Sequence, residues 1–130
     1  MAGYSHTPLE QKLGVKPGLR VAVIGAPPGF ALAGVRSFRR LAPNLDVIVF
    51  FVRFEAELRR RLARLEAALA PTGSLWIAWP KRASGVATDL GENRLRELIL
   101  PDGLVDTKVC AIDSTWSGLR FVVRLENRPA

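Results

Sequence analysis

Three stretches of this chain, Leu19 to Ile24, Leu45 to Val52 and Ser74 to Trp79, are apolar almost throughout rather than at alternate positions. A strand with one face in water alternates. A strand this apolar is covered on both faces, as in a parallel sheet flanked by helices. Gly25 closes the first run, and Pro80, which has no N–H to give a ladder, stops the third. Between the second and third runs the period changes. Leu58, Leu62, Leu65 and Leu69 recur at helical spacing within Glu55 to Leu69, one apolar stripe with charge on the other side. Glu55 with Arg59 and Glu57 with Arg61 are four-residue charge pairs, so the Arg59-Arg60-Arg61 run reads as a solvated helix face.

The remaining elements follow from punctuation. Thr7-Pro8-Leu9-Glu10 has the form of a capping box opening a short helix that Gly14 ends, with a turn at Lys16-Pro17-Gly18. A short helix over Ala31 to Val35 and a weak strand from Ser37 to Leu41 are expected before the break at Ala42-Pro43-Asn44. Pro71-Thr72-Gly73 reads as a turn. Asp89-Leu90-Gly91-Glu92 reads as a second capping box, opening a helix that turns Leu95, Leu98 and Ile99 inward and ends at Pro101-Asp102-Gly103. Leu104 to Ile112 and Leu119 to Leu125, joined across Asp113 to Gly118, form a closing antiparallel hairpin, and residues 126–130 a frayed tail. The expectation is a single α/β domain over residues 1–130. Its sheet is open and mostly parallel, Rossmann-like, with helices on both faces and a C-terminal hairpin.

Composition narrows the chemistry. With 130 residues, 48% of them hydrophobic, the chain has material for one core. The apolar run Val47 to Val52 is far shorter than the roughly 20 residues a membrane helix needs. The first residues lack the pattern of a secretory signal, so a cytoplasmic protein with no membrane contact is expected. A single cysteine, Cys110, excludes an internal disulfide, and a single histidine, His6, leaves metal ligation and a Ser–His–Asp arrangement short of parts. Cys110 in a strand pattern reads as a small core hydrophobe, and Trp76 and Trp79 as packing residues. The net charge of +7, mostly arginine, keeps nucleic acid among the partners, although no RRM aromatic pair or zinc-finger spacing is present.

The order of these elements resembles a methyltransferase of the Rossmann-like type, in reduced form. Residues 13–21, Leu-Gly-Val-Lys-Pro-Gly-Leu-Arg-Val, resemble that family's approach to its first strand. Residues 69–78, Leu-Ala-Pro-Thr-Gly-Ser-Leu-Trp-Ile-Ala, resemble its turn into a later one. Residues 79–86 (Trp-Pro-Lys-Arg-Ala-Ser-Gly-Val) and 108–120 (Lys-Val-Cys-Ala-Ile-Asp-Ser-Thr-Trp-Ser-Gly-Leu-Arg) are similar to a bacterial family known only as domain of unknown function 3052, which implies no activity. The methyltransferase resemblance implies an acidic residue in the first strand and a G-x-G-x-G turn after it. This chain has Val23 and Gly25-Ala26-Pro27-Pro28-Gly29 instead, and two prolines remove two backbone donors. Where the resemblance implies a carboxylate after the second strand to hold ribose hydroxyls, this chain has Arg39-Arg40, and at most one short strand stands where the family places two. Intact S-adenosylmethionine binding is not expected on these grounds.

In open α/β sheets ligands sit beyond the carboxyl ends of the strands. Three segments are expected on that rim: Gly25 to Phe30, Pro80 to Asp89 and Asp113 to Gly118, with Arg53 nearby. Lys81 and Arg82 are candidates for binding an anion, Ser84 and Thr88 supply hydroxyls, Trp116 a stacking face, and Asp113 an orienting carboxylate for Arg120 or Lys81. Gly85, Asp89 and Ser117 complete the set, and Gly25, Pro27, Pro28 and Gly29 form the first-strand loop. The leading expectation is a non-catalytic binding or regulatory domain, without cofactor or metal, that recognises an anionic small molecule or an acidic protein. The alternatives are a small enzyme using a nucleotide- or S-adenosylmethionine-type cofactor, and an electrostatic nucleic-acid binder.

Overall fold

The computed structural model describes residues 8–129. In chain order the elements are α1 (Leu9–Leu13), β1 (Val21–Ile24), β2 (Ser37–Phe38), β3 (Leu45–Phe51), α2 (Glu55–Ala68), β4 (Leu69–Pro80), α3 (Glu92–Ile99), β5 (Leu104–Ala111) and β6 (Trp116–Val123). One six-stranded sheet runs in the order β2-β1-β3-β4-β6-β5. The β1–β2, β1–β3 and β3–β4 pairs are parallel, and β6 pairs antiparallel with both β4 and β5. The expected architecture, an open and mostly parallel sheet with a closing hairpin, is the observed one.

Side-chain alternation along the fully apolar strands feeds two cores. Ile48 and Phe50 of β3, with Leu75 and Ile77 of β4, join Leu58, Leu62 and Leu65 of α2 and Leu95 and Ile99 of α3. Val47, Val49 and Phe51, with Trp76 and Ala78, face the other way and join Leu13 and Val15 from α1 and its exit. Trp76, fully buried, satisfies its indole N–H on the Leu13 carbonyl oxygen at 3.0 Å, which fixes α1 to its face of the sheet. Gly14, at φ 77°, ends α1 as expected.

Several local expectations give way to tertiary contacts. The Thr7 end of the first capping box lies outside the described residues. The Glu10 carboxylate leaves its own helix and accepts a hydrogen bond from Ala33 N at 2.8 Å. No helix forms over residues 31–35, where Gly34 takes φ 72°, and the expected strand from Ser37 to Leu41 shortens to Ser37–Phe38, the residues that pair with Val21 and Ala22 of β1. The expected turn at Pro71-Thr72-Gly73 lies inside β4, where the pairing with β3 shifts between Leu45 and Val47. Gly73 permits that irregularity, since a Cβ there would stand 2.7 Å from the Leu45 carbonyl oxygen. The second capping box does not close either. Gly91 is the residue before α3, with no side-chain cap. The expected hairpin loop shortens to residues 112–115. Residues 126–129 are tied down rather than frayed: Asn127 Nδ2 donates to the Gly103 carbonyl at 3.1 Å and Arg128 Nε to the Val123 carbonyl at 3.1 Å. Of the two charge pairs on α2, Glu55–Arg59 closes at 2.7 Å, while Arg61 turns over the Phe50 ring, 5.4 Å from its centroid.

Glu55 is the best-served carboxylate, taking Arg94 Nε at 2.8 Å as well as Arg59, and the two guanidinium groups lower its pKa to about 2. Glu66 is its opposite. Its Oε2 is buried without a partner, and desolvation, reinforced by the Asp102 carboxyl, pushes its pKa up to about 8. A carboxyl that holds its proton more tightly when folded loses stability as the pH rises from the ordinary carboxylate range toward 8. Glu66→Gln is therefore expected to match the parent near pH 5 and to exceed it by on the order of 1 kcal/mol near pH 8.5. Urea unfolding at the two pH values measures the difference.

Candidate functional site

Parallel pairing in register brings the carboxyl ends of β1, β3 and β4 level, since Ile24 pairs with Phe50 and Phe50 with Ile77. The antiparallel β6 begins on the same rim, with Trp116 opposite Pro80. The three expected segments do meet there. Phe30 packs edge-on against Phe51 with ring centroids 4.9 Å apart, and Phe51 packs edge-on against Trp116 at 5.1 Å. Lys81 N donates to the Thr115 carbonyl at 2.7 Å, joining the loop after β4 to the hairpin turn.

Most of the polar residues expected to face a ligand are occupied in holding this rim. Ser84 Oγ donates to the Lys81 carbonyl at 2.6 Å and accepts from Val86 N, and Gly85 ends that 3₁₀ turn at φ 78°. Thr88 Oγ1 donates to the Arg53 carbonyl and accepts from Leu90 N, while Arg53 Nε returns a bond to the Ala87 carbonyl. Asp89 caps a helix other than its own, accepting from Glu55 N at 2.7 Å, where Phe54 offers α2 no side-chain cap. Asp113 does not orient Arg120 or Lys81. Its Oδ1 accepts from both Thr115 N and Trp116 N at 2.8 Å and closes the hairpin turn. Trp116 and Ser117 lie in β6 rather than in a loop. Arg120 lies away from the rim, in the middle of β6, with Nε donating to Ser74 Oγ at 2.8 Å and Nη1 to Thr107 Oγ1. Cys110 is half-buried, and desolvation raises its thiol pKa, which disfavours the thiolate.

Two clefts open along the rim. One, of about 710 Å³, lies over the Arg82 to Arg94 segment and is lined by Arg82, Gly85, Thr88 and Asp89 among others. Lys81, Asp113 and Trp116 of the expected set do not line it. The other, of about 580 Å³, lies beyond the ends of β1 and β2. Gly25, Pro27, Pro28 and Gly29 form one wall, with Phe30, Leu32, Val35, Ser37 and Arg39 around it. Arg39 stands where the resemblance implies a ribose-holding carboxylate, whereas nothing in the sequence marks Ser37, whose proximity depends on β2 lying beside β1. Gly25 is required by packing. At φ 73° a Cβ would stand 2.8 Å from the Phe51 carbonyl oxygen, whereas Gly29, at φ 84°, has open space around it.

No family model matches the chain and no curated protein is similar to it. Solved structures do share its fold. A SAM-dependent methyltransferase from Aquifex aeolicus superposes with a TM-score of 0.60 at 19% identity, covering 87% of each chain. A ribosomal protein L11 methylase from Lactobacillus delbrueckii subsp. bulgaricus gives 0.59 at 12% identity, over 89% of this chain and 75% of that one. A fibrillarin pre-rRNA processing protein from Methanococcus jannaschii gives 0.58 at 13% identity, over 93% and 70%. The fold is thus the Rossmann-like one found in methyltransferases. The expectation of a non-catalytic binding or regulatory domain is corrected by these neighbours, two of which are named as a methylase and a methyltransferase.

Two tests separate the packing roles from ligand roles. Gly25→Ala is expected to cost about 2–4 kcal/mol, strain plus a clash with backbone, against about 1–2 kcal/mol for Gly29→Ala, strain alone. Asp89→Ala is expected to cost about 1 kcal/mol through the lost cap of α2. Denaturant midpoints measure all three variants.

Proposed function

We propose that this chain is a small enzyme using a nucleotide- or S-adenosylmethionine-type cofactor, with the nucleoside in the cleft beyond β1 and β2. The observation that carries the reading is the position of that cleft, at the carboxyl edge where the parallel strands end, on a fold shared with methyltransferases. Its size and apolar wall of Val23, Phe30, Leu32 and Val35 suit a flat base.

The polar residues fit a nucleoside in part. A ribose diol needs an acceptor, and among the described residues no carboxylate lines the cleft; Ser37 and Arg39 are the polar side chains there. A sulfonium-bearing cofactor likewise finds no anionic partner among these residues. No methyl-transfer step is therefore derived. A guanidinium beside the ribose position suits a nucleotide that carries phosphate, because its planar fork matches phosphate oxygens. The similarity of residues 79–86 and 108–120 to the 3052 family adds no activity to this reading.

Calorimetric titration with S-adenosylmethionine, S-adenosylhomocysteine and phosphorylated adenine nucleotides tests the proposal. Saturable micromolar binding of at least one is expected. Ala31→Trp, an exposed position on the cleft wall, is expected to weaken that binding at least about tenfold, with little change in melting temperature. Absence of binding by every ligand, or binding that Ala31→Trp leaves unchanged, overturns the reading.

A further inference from the structure

Two groups among the fifteen arginines of this chain contrast sharply. Arg59, Arg94 and Arg96 each end on carboxylates at 2.7–2.9 Å. Arg39, Arg40, Arg61 and Arg64 have no carboxylate within ion-pair distance among the described residues, yet they gather around one groove. That groove, of about 540 Å³, lies between the segment leaving β2 and the face of α2. Leu41, Ala42, Pro43, Ala67 and Ala68 line it between the arginines, and none of its lining residues among those described is acidic. With Arg61 over the Phe50 ring and the other three ending on no carboxylate, like charges gathered along one groove repel one another, and an anion that joins them relieves that repulsion.

We infer that this groove binds single-stranded nucleic acid. Guanidinium forks match phosphate oxygens, and four of them along one groove suit a ligand that repeats its charge. The apolar lining and the exposed Phe38 ring, one residue before Arg39, match what a strand offers beyond phosphate, the faces of unpaired bases. Phe38 is 43% exposed beside Arg39, with the Arg20 guanidinium 5.2 Å from its ring centroid, and Arg20 also donates to the carbonyl of Pro43 in the groove. A strand repeats its phosphates at a fixed spacing with a base face beside each, which an acidic peptide does only where its sequence supplies both. A duplex presents its phosphates with its bases stacked away. The inference goes beyond the cofactor reading: the groove lies along α2 and, among the described residues, shares Arg39 with the β1–β2 cleft, so the Arg61 and Arg64 pair separates the two.

Fluorescence anisotropy with a labelled twelve-nucleotide oligouridylate tests it. Binding is expected at 50 mM salt and should weaken roughly fiftyfold at 200 mM, the loss from about four displaced counterions on a single strand. Arg39→Glu with Arg40→Glu, and separately Arg61→Glu with Arg64→Glu, are each expected to weaken binding at least about tenfold and to flatten its salt dependence. The first pair lies on an exposed segment, which keeps the test open if the helix variant unfolds. Lys108→Glu with Arg124→Glu changes net charge equally, away from the groove, and is expected to retain binding within about threefold. No binding at 50 mM salt overturns the inference. An equal loss in the off-groove variant, or a duplex of the same length binding as tightly, also overturns it.

Discussion

Strand β3 is the member on which the other parts are aligned. It pairs in parallel with β1 on one side and β4 on the other, and it sends Phe50 into one core and Phe51 into the other. Gly25 sits so close to the Phe51 carbonyl that the exit of β1 is locked against the exit of β3. The Phe51 ring then holds Phe30 and Trp116 by their edges. Because these contacts are steric and made by backbone and rings, they place the loops after β1, β3 and β4 on one rim whatever their polar residues do.

Those polar residues are largely committed to the rim itself. Loops that leave a sheet carry backbone groups that no ladder satisfies, and buried or half-buried ones must find partners. Ser84, Thr88, Asp89 and Asp113 supply them. A hydroxyl or carboxylate spent on a backbone amide is not free for a ligand without loss of the loop. The side chains left over are cationic, and that fact, more than any motif, sets the chemical character of this protein's surface. It suits phosphate in the β1–β2 cleft and along α2.

The short second strand has a larger effect than its two residues suggest. Ser37–Phe38 reaches only the start of β1, pairing with Val21 and Ala22. Beyond it the edge of β1 is open, which creates the cleft, and the chain leaves β2 to cross above α2, which creates the arginine groove. Both candidate sites are consequences of one truncated edge. Arg39 stands where they meet.

The amino-acid pattern alone determines the layered α/β architecture, the buried parallel strands, the stripe of α2 and the closing hairpin. These follow from periodicity, burial and chain breakers, which are local and repeat along an element. Trp76 and Trp79 read correctly as packing residues for the same reason. Tertiary structure decides the partners of single polar groups. Asp89 has the spacing of a cap for the helix that follows it and instead caps α2, because the loop after β4 folds back over Glu55. Glu10 reaches Ala33, and Arg61 leaves Glu57 for Phe50, through contacts between elements. A hydrogen bond is decided by a few ångströms between residues distant along the chain, and nothing local encodes that distance. Fold class is a sum over many weak, repeated preferences and survives such exchanges, whereas a site depends on a handful of unique neighbours that only the folded chain brings together.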